Sequence, residues 1–179
     1  MAKLLQSYFD RDIKDNEMKY IELTPDSIKI LKEQLEPLQP PMETMQEKLI
    51  KAIEESIGQD LDNSVPNDVA CVTQLVKVLQ KIMEFPNLSY TPVLVRTLKA
   101  DNRFKGTLDL DVGNIIVNAT GTGNGMIIGH CGFIWKDGKI VSNKSSTGKL
   151  DTHFTIETWK QRYRIKGEMP TLVFQLLIT

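Results

Sequence analysis

Through the first hundred residues the apolar positions recur at helical spacing, and beyond them the period shortens to that of extended chain. Ile28, Leu31, Leu35 and Leu38 mark one amphipathic helix. Thr24 is placed to cap it, with Pro25 at the first helical position. Pro37, Pro40 and Pro41 end that helix and form a stiff linker. A second helix is predicted over 43–56, with Met45, Leu49, Ala52, Ile53 and Ser56 on one side and Gly58 as its stop. The polar stretch 59–66 leads to a third helix. Asn67 and Asp68 are placed to cap it, Val69, Val72, Leu75, Val76, Leu79 and Met83 form its buried stripe, and Pro86 closes it. Thr91-Pro92 opens a short fourth helix running to about residue 100.

Strands are predicted at 115–117, 126–135, 139–143 and 171–178, with a glycine-rich loop at 121–125 and a helix over 155–163. Asp137-Gly138 is the dipeptide of a two-residue hairpin. Helices first and a mostly antiparallel sheet afterwards make an α+β pattern. Residues 1–45 read as an accessory helical segment and 46–179 as the main domain. No internal repeat or low-complexity tract interrupts the chain, and the length suits one domain with a short attachment.

Charge sharpens that division. Residues 1–65 carry 8 Lys/Arg against 14 Asp/Glu, and residues 66–179 carry 14 against 9. The acidic first part suggests a segment that docks to a partner, and the basic second part a preference for an anionic surface. No apolar run is long enough to span a bilayer, and the first residues do not read as a secretory signal, so synthesis in a reducing cytosol is expected, without membrane insertion. Basic and aromatic residues do not interleave as in a nucleic-acid surface.

Two cysteines, Cys71 and Cys131, and two histidines, His130 and His153, bound the chemistry. That is too few for a disulfide framework. His130 and Cys131 are adjacent and point to opposite sides of a strand, which argues against a shared metal, so neither a metal nor another cofactor is expected. Cys71 falls in the first turns of its helix, where free N–H groups and the helix dipole favour a thiolate. His130 lies between Gly129 and Gly132, which are expected to leave room around the imidazole. A two-residue hairpin loop would set Gly132 opposite Asn143 and make Asn143 the diagonal neighbour of His130, able to fix its tautomer. A three-residue loop would shift the register by one and favour Ser142 instead. In the first register Cys131 and Ser142 face away from the site; a Cys71–Cys131 disulfide stays possible should the protein end outside the cell, but that face sets Cys131 away from the site.

Asn67-Asp68-Val69-Ala70-Cys71-Val72 at a helix start and Gly129-His130-Cys131-Gly132-Phe133-Ile134 on a strand resemble the Cys and Gly-His-x-Gly/Ala motifs of NlpC-type and CHAP-type peptidases. The stretches 119–125 and 142–148, with Trp159, are similar to single-domain cell-wall hydrolases of bacteriophages. The resemblance implies a papain-like fold and cleavage of amide bonds in peptidoglycan stem peptides or cross-bridges. It implies Cys71 as nucleophile, His130 as base and Asn143 as the orienting group. Asn67, Asp68, Gly129, Gly132 and Trp135 are the candidates for the substrate cleft. Action at the cell wall would follow lysis or carriage in a virion, where residues 1–45 could dock to a phage structural protein. Two departures stand out: Gly113-Asn114 replaces a Gly-Asp pair, and Cys131 replaces the small or branched residue usual after the histidine. The competing expectations are a catalytically silent structural or virion assembly protein on the same fold, and a cysteine hydrolase with a protein substrate.

Overall fold

The computed structural model describes residues 25–26, 28–29, 43–121 and 128–177, and divides the chain into two compact units, Met1–Met42 and Glu43–Thr179. In the first unit Pro25, Asp26, Ile28 and Lys29 are helical. The rest of the helix expected over 24–38, and the loop and strand start expected over 122–127, lie outside the described residues.

The second unit is α+β, with a six-stranded antiparallel open sheet. Helix α1, Met45–Ser56, starts where Thr44 and Glu47 close a reciprocal capping box, Glu47 N–H donating to Thr44 Oγ1 at 3.2 Å and Thr44 N–H to Glu47 Oε2 at 2.7 Å. It stops at Gly58, whose φ of +82° suits glycine and whose N–H donates to Leu150 O. Helix α2 runs over Cys71–Gln80 and α3 over Thr91–Ala100. The strands are β1 Phe104–Thr107, β2 Ile115–Asn118, β3 His130–Ile134, β4 Lys139–Lys144, β5 Lys149–Thr155 and β6 Thr171–Leu176, in the order β1-β6-β2-β3-β4-β5. Helix α4, Ile156–Trp159, is capped by Thr155 and continues as a π-helix over Lys160–Lys166.

The pleat divides the core in two. Ile115, Val117, Cys131, Phe133, Val141 and Phe174 pack with Leu49 and Ile53 of α1, Cys71, Val72, Leu75 and Leu79 of α2 and Leu94 and Leu98 of α3. On the other face Ile116, Ile134, Ile140 and Val173 pack under Trp159, Tyr163 and Met169.

Three expectations are corrected. Helix α2 begins at Cys71, not at Asn67-Asp68, and ends at Gln80, before Pro86. Residues 67–70 form a turn whose groups are engaged elsewhere: the Asn67 carbonyl accepts from Asn143 Nδ2 at 2.6 Å, and its side chain lies against Gly148, where an added Cβ would come within 2.5 Å of Asn67 Oδ1. The hairpin between β3 and β4 has a three-residue loop, Lys136–Gly138, because Asp137 as well as Gly138 adopts a positive φ, at 57° and 65°. Gly132 therefore pairs with Ser142, not Asn143. Finally, β1 and β5 form the two edges of the sheet and were not anticipated.

Candidate active site

Helix α2 presents Cys71 at its first helical position. The first intrahelical bond of the ladder is Gln74 N–H to Ala70 O, so the N–H groups of Cys71, Val72 and Thr73 have no intrahelical acceptor and the positive end of the dipole lies at the thiol. No side chain caps this end. Buried Gln74 instead holds the helix start in place, its Nε2 donating to Gly148 O at 2.9 Å and Asp60 Oδ1 at 2.7 Å, its Oε1 accepting from Leu61 N–H.

His130 is the first residue of β3, and three hydrogen bonds place it. Gly129 N–H donates to Thr120 Oγ1 at 2.7 Å, Thr120 N–H donates to Thr91 Oγ1 at 3.0 Å, and the two threonine hydroxyls meet at 3.3 Å, so the start of α3 fixes the entry to β3. Contrary to expectation, the flanking glycines do not leave room around the imidazole. A Cβ on Gly129 would stand 2.4 Å from Asn118 O, and one on Gly132 would stand 2.6 Å from Val141 O. Both glycines admit close approach of backbone.

The imidazole lies among aromatic rings. Its centroid is 5.2 Å from Trp159, 5.6 Å from Tyr163, with the planes 25° apart, and 6.0 Å from Phe154. Trp159 is itself fixed, because its Nε1–H donates to Asn118 Oδ1 at 2.7 Å while Asn118 Nδ2 donates to Met169 O and Thr171 Oγ1. Trp159 and Tyr163 thus pack the second face of the sheet and flank the imidazole at once, and Tyr163 also reaches the cleft.

The side chain of Cys71 engages both consecutive residues of β3. Hydrogen bonds from the Cys131 side chain and then from His130 hold the Cys71 thiol well below its usual range, against the opposing effect of burial. The Cys131 thiol moves the other way, pushed up by burial and by donating to Cys71. Cys131 thus faces the nucleophile position, contrary to the expectation that it points away from the site.

A cleft of about 570 Å³ opens on His130. Of the residues expected to line it, Asp68 and Gly129 do so, together with His130 and Asn143. Asn67 lies beneath Gly148, Gly132 is covered by β4, and Trp135 sits at the far end of β3 in the α-helical face of the core. Ile128, Lys144, Ser145, Ser146, His153, Phe154, Arg162 and Tyr163 complete the cleft. Burial lowers the His153 pKa. Arg162, whose guanidinium lies 5.6 Å from the Tyr163 ring, is the basic residue of the π-helix that lines the cleft. Alternation had no way to find β5, and with it His153 and Phe154. Cys71 is 7% exposed and is not part of the cleft lining.

Asn143 was expected to orient the imidazole. The observed register puts Ser142, not Asn143, on the His130 face as its diagonal neighbour, and Asn143 Nδ2 is committed to the Asn67 carbonyl. His130 Nε2, Ser142 Oγ and Asn143 Oδ1 are all buried without a hydrogen-bond partner. No protein-family model matches the chain, and no curated protein matches it.

Proposed function

We propose that the protein is a cysteine amidase or endopeptidase with a papain-like arrangement, acting on peptide bonds of bacterial cell wall. One observation carries the chemical half of this reading: a thiol at the first position of α2, where the N–H groups have no intrahelical acceptor, held well below its usual pKa by the Cys131 side chain first and His130 second against the effect of burial. His130 takes the thiol proton, the thiolate attacks the amide carbonyl, the protonated imidazole gives its proton to the leaving amine, and water then releases the acyl group. The backbone N–H of Cys71 is the first donor to the developing oxyanion. Ser142, on the same face as His130 but with its Oγ unpartnered in this state, takes the orienting role when hydroxyl and ring turn to each other during the reaction, and Asn143 ties the turn before α2 to β4. The substrate half rests on the motif resemblance, as does action at the cell wall after lysis or from a virion with residues 1–45 docked to a structural protein.

The test is clearing of purified peptidoglycan by the wild-type protein beside Cys71→Ala and His130→Ala. Clearing by wild type alone supports the reading, and mass analysis of the fragments names the bond. Clearing that survives in Cys71→Ala refutes the assignment. Ser142→Ala lowering kcat more than Asn143→Ala supports the orienting role of Ser142. The burial of Cys71 favours a second reading, a catalytically silent assembly protein, to which absence of clearing across several wall types, and of cleavage of protein substrates, would point.

A further inference from the structure

Asn143 and Arg162 line the cleft on His130 from two different elements, β4 and the π-helix after α4. Asn143 is buried to 2% exposure. Its Nδ2 is committed to the Asn67 carbonyl, and its Oδ1 has no partner. An acceptor so placed is satisfied by an N–H that enters the cleft. Arg162 is exposed, with its guanidinium over the Tyr163 ring at 5.6 Å. Contact with the ring face leaves the N–H edge of the fork open to a planar anion.

The other charges nearby are already engaged. Lys144, the second cation of the cleft, is paired with Asp151 at 3.0 Å, and Lys160 of the π-helix with Glu157 at 3.6 Å. Burial lowers the His153 pKa, so that imidazole is uncharged near neutral pH. Arg162 is in no ion pair among the described residues. Asp68 is the one carboxylate among the described residues that line the cleft, and it pairs with neither cation. A cleft with one open guanidinium and one carboxylate suits a ligand with a single anionic group better than a polyanion.

We infer that the cleft selects a peptide with one free carboxylate near the bond to be cut, the carboxylate meeting Arg162 and a backbone N–H of the peptide donating to Asn143 Oδ1. Arg162 is then a specificity residue and takes no part in bond making. Among wall stem peptides it separates those whose glutamyl residue keeps its carboxylate from those in which that group is a carboxamide, which leaves the guanidinium without an anion. The inference rests on the proposed reading for the place of the reacting bond beside His130. The selection itself is an equilibrium property and is read without turnover.

The probe is the tripeptide L-alanyl-γ-D-glutamyl-L-lysine, N-acetylated and C-terminally amidated so that the glutamyl carboxylate is its single carboxylate, beside its carboxamide twin. Binding of each is measured by calorimetry to the folded Cys71→Ala chain, so that no peptide is consumed. The carboxylate form is expected to bind at least ~10-fold tighter than the carboxamide. Adding Arg162→Gln should bring the two to equal affinity, and Arg162→Lys should keep part of the preference. Equal binding of the twins, a preference undiminished in Arg162→Gln, binding of neither peptide, or tighter binding of linear polyphosphate would each overturn the inference. Wall clearing by the wild-type protein without a carboxylate preference would refute this inference alone. A preference without clearing would leave it standing and refute the hydrolytic reading.

Discussion

The Asn118–Trp159 pair fixes the aromatic wall against which His130 rests, and its strength can be worked out from the hydrogen bonds it makes. Both side chains are fully buried. Asn118→Ala removes the bonds to Trp159 Nε1, Met169 O and Thr171 Oγ1, at 2.7, 2.9 and 3.0 Å, and leaves the indole N–H stranded. With about 1 kcal/mol net per bond and about 1–3 kcal/mol for a stranded buried donor, a loss of about 4 kcal/mol is expected. Trp159→Phe leaves Asn118 Oδ1 stranded and opens a small cavity, for about 2 kcal/mol. The double variant strands neither group. Its cost should therefore fall short of the sum of the single costs by about 1–2 kcal/mol, which urea denaturation of the four proteins measures. Additivity within about 0.5 kcal/mol would refute the claim that this hydrogen bond couples the helix to the sheet. Trp159→Phe keeps a ring beside the imidazole and should spare activity more than Asn118→Ala does.

Three further outcomes are expected. Gly132→Ala should cost about 2 kcal/mol or more in urea denaturation, because the new Cβ meets Val141 O at 2.6 Å and Ser142 Cβ at 2.8 Å; a change under about 0.5 kcal/mol would show that β3 and β4 are not so close. The rate of Cys71 alkylation should rise with pH through a midpoint below the ordinary thiol value of about 8.5, since the folded thiol is held down and its thiolate persists to lower pH. Replacing Cys131 by Val removes the largest lowering influence and should move that midpoint up; no movement would place the cause elsewhere. Asp137→Val should lose about 1–2 kcal/mol, because a β-branched residue resists φ of 57°, while Asp137→Gly should cost little; equal effects would argue against the three-residue loop.

Helices α1 and α3 were legible because their starts are local: Thr44 with Glu47, and Thr91 with Pro92. The start of α2 was not, because Asn67 is held by Asn143 and faces Gly148, partners more than seventy residues away. Asp137-Gly138 signals a hairpin correctly but not its loop length, which turns on whether Asp137 itself goes left-handed, and one residue of difference exchanges Ser142 for Asn143. The edge strands escaped notice for a common reason. Phe104–Thr107 and Lys149–Thr155 each bury few side chains and read as polar chain. Cys71 and His130 were legible as candidates from type and position, but alternation alone separates Cys131 from His130 without saying which face α2 covers. That choice makes Cys131 a neighbour of Cys71 and sends Trp135 into the core.

The distribution of unsatisfied polar atoms gives the site its physical character. Among the described residues five buried side-chain atoms lack a partner, and three of them, His130 Nε2, Ser142 Oγ and Asn143 Oδ1, belong to adjoining ends of β3 and β4. Elsewhere the same sheet satisfies its buried polar groups with care, as Asn118 shows with its three bonds. Each stranded atom costs about 1–3 kcal/mol, a large fraction of the stability of a small domain. Packing does not require that cost, since alanine or valine would fill positions 142 and 143. The start of β3 is also where the Cys71 side chain reaches residues from both faces of one strand, which the interior of a strand would not allow. On the proposed reading, these unpartnered atoms beside the imidazole and its fixed rings are the ones a bound substrate would engage.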